Sequence, residues 1–437
     1  MRSFALPFLL LASSTHAQVP INGPMVGHID MLEATVWLQC HGPCNARIEY
    51  WAKDRPDSVM TTQEVTAQPA NAYALDIVVS AVIPGTTYHY RPIINGSMVD
   101  VGQPLSFKTQ SLWKHRTDPP DFTVAMGSCA YINEPAYDRP GRPYGNDMRI
   151  FDRIAERSPD LMLWLGDNVY LREPDWGSRS GYLHRYTHTR STPALQRLLR
   201  STAHYAIWDD HDFGPNDADG SFVNSELARE VFDLFWPNPT CGAPGVPGIT
   251  TSFSHGDVDF FLLDDRTFRR PGHLRTIAPS LLGNAQLDWL IQALRYSDAS
   301  FKVVAMGGQV LNSAGVFENY ESIPEERAEL LRRIEAEGIQ GVVFVSGDRH
   351  FTELSQLTLG NGTVLHDLTC SPLTSGTYSP KEVNELRVPG TLVEQHNFAE
   401  LGFSGPKGAR VMTMRVLDRE GAMIWERAIE QAPRRDR

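Results

Sequence analysis

Leu161-Met162-Leu163-Trp164-Leu165-Gly166-Asp167-Asn168-Val169-Tyr170 passes from a purely apolar run straight into glycine and aspartate. Five apolar residues bounded in this way read as a short strand buried on both faces. The polar residues that follow then sit at the strand's carboxyl end, where ligands bind in α/β sheets. A lone Gly-Asp after a strand is more often a turn than a ligand, so the reading depends on whether the pattern recurs.

It recurs three times. Phe122-Thr123-Val124-Ala125-Met126 runs into Gly127-Ser128-Cys129. Tyr205-Ala206-Ile207-Trp208 runs into Asp209-Asp210-His211-Asp212, and Val342 to Val345 runs into Ser346-Gly347-Asp348-Arg349-His350. Further apolar strands are expected at Val258 to Leu263 and Phe301 to Met306. Helical spacing appears over 147–157, 193–200, 225–235, 284–295 and 324–337, the last with Pro324 in its first turn. Strands alternating with helices imply a largely parallel sheet. Two hairpins close the chain, about Asn361-Gly362 and Glu420-Gly421, and suggest antiparallel additions.

Carboxylates gathered at strand ends need positive charge, and no run of lysines or arginines lies near them in sequence. Metal ions supply that charge. Cys129, Tyr170 and His350 offer a thiolate, a phenolate and an imidazole, which suit a redox-type transition metal such as iron. Asp167, Asp210 and Asp348 offer hard oxygens, which suit calcium, magnesium or manganese. The site therefore reads as asymmetric and two-metal, with Asp167 able to bridge. Two such ions form a clamp for in-line displacement at phosphorus.

Residues from about 25 to 110 have a different grammar, with β segments at Ala34 to Leu38 and Ala46 to Trp51, and a stretch from Tyr73 to Val82 that leads into Ile83 to Tyr90. Pro84-Gly85 followed by Tyr88 resembles the tyrosine corner of sandwich domains. The polar stretch from Ser111 to Pro120 reads as a linker. At the other end of this region, Met1-Arg2, the apolar Phe4 to Ala12 and Thr15-His16-Ala17 read as a signal peptide, and its single arginine does not support a twin-arginine signal. Five cysteines fit an exported chain. Cys40 and Cys44 flank a plausible turn and could pair, Cys241 and Cys370 could pair only if the fold joins them, and Cys129 is left over.

The four motifs in combination resemble the PhoD-type alkaline phosphatases, a branch of the calcineurin-like metallophosphoesterases. Leu263-Asp264-Asp265-Arg266-Thr267, Gln286, Gly307-Gly308-Gln309 and Asn397-Phe398-Ala399 resemble that family too. The resemblance implies a four-layer α/β-β/α metallophosphoesterase sandwich at 120–437. Ahead of it come a small fibronectin-like β-sandwich at 18–112 and a signal peptide at 1–17. It implies iron(III) held by Cys129, Asp167, Tyr170 and His350, and calcium held by Asp167, Asp210 and Asp348. His211 would contact the phosphate or protonate the leaving oxygen. Asp212 either orients His211 by accepting its second N–H or caps a helix or loop, and capping is the reading for Asp209. Arg349 occupies a position that is apolar in many members; it either reaches the phosphate or faces solvent. His204, His255 and His366 read as structural.

The activity implied is hydrolysis of phosphate mono- and diesters by metal-activated water, in a periplasmic or secreted location, on small-molecule or polymeric esters. Alternatives are a non-catalytic phosphate- or glycan-binding surface protein on the same fold, or a phospholipase or nucleotidase of the superfamily. Across its 437 residues the chain carries a net charge of −12. No broad basic face is implied, which argues against a nucleic-acid reader. No window reaches the length of a membrane span.

Overall fold

The computed structural model describes residues 22–433. The signal-peptide reading at 1–17 lies outside the described residues. Two large sheets pack face to face. The first has nine strands in the order Met423–Glu430, Val411–Asp418, Asn397–Ser404, Phe122–Gly127, Leu161–Leu165, Ala203–Ile207, Asn22–Ile29, Glu33–Gln39, Ala74–Ser80. The second has six, in the order Thr251–His255, Val258–Leu262, Phe301–Ala305, Val342–Ser346, Val364–Thr369, Glu353–Thr358.

The central strands of each sheet are parallel, because a helix returns the chain between them. Phe122–Gly127 pairs with Leu161–Leu165, which pairs with Ala203–Ile207. Every residue of Leu161–Leu165 is buried, as its apolar run requires. Between the sheets, rings from both meet: Tyr205 stacks on Phe253 with centroids 3.8 Å apart, and Phe403 lies 5.7 Å from Phe301. Helices cover the outer faces. Arg149–Arg157 buries Ile150, Phe151, Ile154 and Ala155 against the first sheet. Gly283–Tyr296 and Pro324–Ala336 pack their leucines and isoleucines on the second. The result is helix, sheet, sheet, helix, and both expected C-terminal hairpins are formed.

One helix escapes a search for aliphatic periodicity. Arg179–Ser191 buries Tyr182, Arg185, Tyr186, Thr189 and Arg190, a helical stripe built of aromatic, arginine and threonine side chains. Ser178 caps it, its side chain accepting from the Gly181 N–H.

The N-terminal residues form a β-rich module, and the tyrosine-corner bond is present: the Ile83 N–H donates to the Tyr88 hydroxyl at 2.9 Å. A smaller sheet centres on Asn45–Ala52 and Thr87–Ile94. The strands that face it do not stop at a boundary. Asn22–Ile29 lies parallel to Ala203–Ile207, with Val26 opposite Ala203, so this module extends the large sheet. The seam is dense. The Arg190 guanidinium lies over Trp37 at 5.3 Å and Trp236 at 3.8 Å and donates to the Phe235 carbonyl. Cys40 and Cys44 form a disulfide. Cys241 and Cys370 do not pair; both are free, as is Cys129.

Trp37 is fully buried, and its indole N–H donates to the Leu234 carbonyl at 2.8 Å across the seam. Trp37→Ala should therefore cost about 3–5 kcal/mol in urea unfolding. A loss under about 1 kcal/mol would show that the seam carries little of the stability.

Candidate metal centre

Each of the four motif loops leaves the carboxyl end of a parallel strand, three from the first sheet and one from the second. They meet because Gly347 allows contact between the sheets. A Cβ there would lie 2.4 Å from the Leu165 carbonyl oxygen and 2.6 Å from the Ser128 Cβ. Cys129, Asp167, Asp348 and His350 sit at φ +58°, +52°, +61° and +58°. Non-glycine residues rarely take this left-handed conformation, and each instance stores on the order of 1–3 kcal/mol of strain that the surroundings must hold.

Single ligand atoms of Cys129, Asp167 and His350 all lie within 4.8 Å of one another. The Tyr170 hydroxyl joins them, 3.4 Å from His350 Nε2. Ser371 supports two of them: its hydroxyl donates to Cys129 Sγ at 3.1 Å and accepts the His350 N–H at 3.0 Å. Burial pushes the Cys129 thiol and the Tyr170 phenol up, and the negative charge of Asp167 pushes both further. Burial holds His350 down at about 4.

A second group shares Asp167. Ligand atoms of Asp167, Asp210 and His211 also lie within 4.8 Å of one another. Asp167 is raised well above the carboxylate range, first by burial and then by the charges of Asp210, Asp212 and Asp348. Its donors are weak, the His211 N–H at 3.3 Å and the Cys129 thiol at 3.6 Å. Asp348 stands beside this group, half-buried, where its charge and that of Asp210 act on each other. His211 Nδ1 is buried without a hydrogen-bond partner, and burial lowers the pKa of the ring against the pull of Asp210. Thus five of the six residues expected to ligate metal, and His211, come together by the positions of their ligand atoms, while Asp348 is tied to them through the charge of Asp210.

Several neighbours differ from expectation. Asp212 does not orient His211; its carboxylate accepts the backbone N–H groups of Asn168, Val169 and Asp209 and so fixes two loops together. Asp209 caps the short helix Asp210–Phe213, as expected, and also binds the buried Arg266. Arg266 is a counter-charge that sequence proximity did not reveal. It serves Asp209, Glu318 at 2.6 Å and Asp265 at 3.5 Å. Arg349 does not face solvent. Its guanidinium is bound by Asn319 at 2.8 Å and Glu382 at 2.5 Å and lies 4.0 Å from Asp348. Reaching a phosphate would mean giving up those partners.

Other residues at the site were not legible. Ligand atoms of Asp217 and Glu318 lie within 4.8 Å of each other and of Asp210, and the Tyr144 hydroxyl lies 3.2 Å from His350 Nδ1. All three come from irregular loops where no spacing marks them. His204 is structural: the Trp164 indole donates to its Nδ1 at 3.0 Å, and its Nε2 reaches the Leu198 carbonyl.

Comparison with known proteins agrees with this layout. Residues 19–111 match a domain of unknown function (DUF7800). Alkaline phosphatase D of Bacillus subtilis (strain 168) is 22% identical over 339 residues, which cover 67% of this chain and 55% of that protein. The chain thus spans little more than half the length of that curated relative. The solved structure of PhoD superposes with a TM-score of 0.76 at 15% identity, covering 99% of this chain and 94% of the other. A purple acid phosphatase from yellow lupin (Lupinus luteus) seeds superposes with a TM-score of 0.69 at 11% identity, covering 94% and 74%. These likenesses share the fold. The family model PhoD-like phosphatase matches residues 124–409, well over half of the sequence, and the chain belongs to that family.

Proposed function

We propose that this chain is an exported, metal-dependent phosphomonoesterase and phosphodiesterase. In this reading 1–17 is a signal peptide, 18–112 a positioning module and 120–437 the catalytic domain. The observation that carries it is the shared carboxylate: Asp167 belongs to both ligand groups. The likeness to a protein called alkaline phosphatase supports the same substrate class.

The donors fit two unlike ions. Cys129, Asp167, Tyr170 and His350 would hold iron(III), because thiolate and phenolate favour it and a cation would reverse the upward push on their pKa values. Asp167, Asp210 and Asp348 would hold calcium. When bound, such a pair supplies positive charge to the phosphoryl oxygens and lowers the pKa of an attacking water.

The protein's own residues do the rest. Asp167, buried between the groups, fixes their spacing. His211 stands beside Asp210, where it would contact the phosphate or pass a proton to the leaving oxygen. Arg349 positions the Asp348 turn from beneath through Glu382 and Asn319, and the Ser371 hydroxyl does the same for Cys129 and His350. The complete ligand set disfavours a non-catalytic binding protein on this fold.

Asp167→Asn keeps the shape but removes the shared charge. Hydrolysis of both mono- and diesters should fall by about 10³-fold or more with circular dichroism unchanged. Wild-type-like turnover by the folded variant would remove the assignment. EGTA should inactivate the purified enzyme and added calcium restore it, while iron, read by elemental analysis, stays bound. Activity indifferent to EGTA would point to a tightly held second ion instead. The holoenzyme should also be coloured by phenolate- and thiolate-to-iron charge transfer. Tyr170→Phe should shift or lose that band and most of the activity together; a colourless, zinc-containing wild type with an active Tyr170→Phe would refute iron.

A further inference from the structure

We propose that Phe317 is a specificity-determining residue that stacks against a flat aromatic group on the ester's leaving alcohol, with Tyr144 as a second aromatic wall. The proposal rests on the phosphoesterase reading and deepens it to a substrate class.

Phe317 is misplaced by every ordinary rule of packing. Its side chain is 64% exposed, where a large apolar ring gains nothing from burial. Its backbone sits at φ +51°, in the left-handed region that a bulky residue enters only under constraint. Glycine or asparagine would occupy that position with less strain.

The same residue is tied to the centre from two directions. Its ring lies over the Arg349 guanidinium at 4.4 Å, and Arg349 stands between Asp348 and His350. Its chain neighbour is Glu318, whose carboxylate groups with Asp210 and Asp217. The edge of Tyr378 meets the ring at 5.8 Å, and the Tyr378 N–H is bonded to the His350 carbonyl. Tyr144 reaches the same turn from another loop. It is 43% exposed, its hydroxyl is 3.2 Å from His350 Nδ1, and its ring centroid is 6.2 Å from that of Tyr170.

Two partly bare rings therefore flank one turn, Asp348 to His350, that carries ligand side chains of both groups. In this proposal an ester whose phosphorus sits at Asp167 directs its alcohol past this turn, toward the exposed rings. A nucleobase or aryl group stacked on Phe317 would remove its apolar surface from water, and stacking tolerates any flat π system.

The test compares adenosine 5′-phosphate with glycerol 3-phosphate on the metal-loaded enzyme. Both are monoesters of primary alcohols, so the bond broken is alike and the flat base is the main difference. The wild type should prefer the adenosine ester in kcat/KM. Phe317→Ala should cut that preference roughly tenfold, mainly through KM. Phe317→Trp should retain it, and Phe317→Leu, which keeps apolar area without a π face, should not. Calorimetric titration with adenosine, which has no phosphate to cleave, reads the wall independently of turnover; its affinity should fall about tenfold in Phe317→Ala. An unchanged preference and unchanged adenosine affinity in a Phe317→Ala protein of normal melting temperature would overturn the proposal. Adenosine binding that depends on Phe317, in an enzyme that cleaves neither of these monoesters nor bis(p-nitrophenyl) phosphate, would support the wall and overturn the phosphoesterase reading alone.

Discussion

Carboxylates that leave water must find positive charge, and this chain gathers more of them at one point than its side chains can neutralise. The structure divides the load. Arg266 takes the rear rank, Asp209, Asp265 and Glu318, the last of which also groups with Asp210, and leaves Asp167, Asp210 and Asp348 as the front rank. Arg266 balances the charge of the rear rank, although one buried oxygen of each of these carboxylates has no hydrogen-bond partner. The front rank is finished only by cations, which is why the donor set and the fold speak for the same chemistry.

The front rank exists because two sheets press their strand ends together. Each parallel strand delivers its loop to the same edge, and the Gly347 contact lets a loop of the second sheet touch the first. That closeness leaves little freedom to the residues that follow. Cys129, Asp167, Asp348 and His350 are forced into left-handed backbone, and hydrogen bonds from partners such as Ser371 hold them there. Strain at the ligands and dense packing behind them are two aspects of one arrangement.

The legible parts of the chain were those with a period or a punctuated edge. Leu161–Leu165 announces itself as a buried strand, and the four strand-end motifs name the ligands, because a short apolar run ending in Gly-Asp is visible without any contact. What stayed hidden depends on three dimensions. The helix Arg179–Ser191 buries tyrosines and arginines in place of leucines, so its stripe carries no aliphatic signal. Arg266 lies far along the chain from Asp209, and Asp217, Glu318 and Tyr144 sit on loops that only the fold brings in. Asp212 misleads for a related reason: adjacency to His211 suggests a partner, but a one-turn helix points the two side chains apart and gives Asp212 the backbone of the neighbouring loop.

The parallel pairing of Asn22–Ile29 with Ala203–Ile207 has a consequence for how the chain must mature. The early strand leaves the ribosome long before its partner is made. Until the partner arrives, a strand of the future large sheet has an unsatisfied edge of the kind that recruits foreign strands. Closing so long a loop is also slow, since its entropy must be spent before the pairing rewards it. A chain built this way gains from being shielded while incomplete. The same pairing that welds the N-terminal module to the catalytic sheet thus makes the strand Asn22–Ile29 wait for a partner about 180 residues further along.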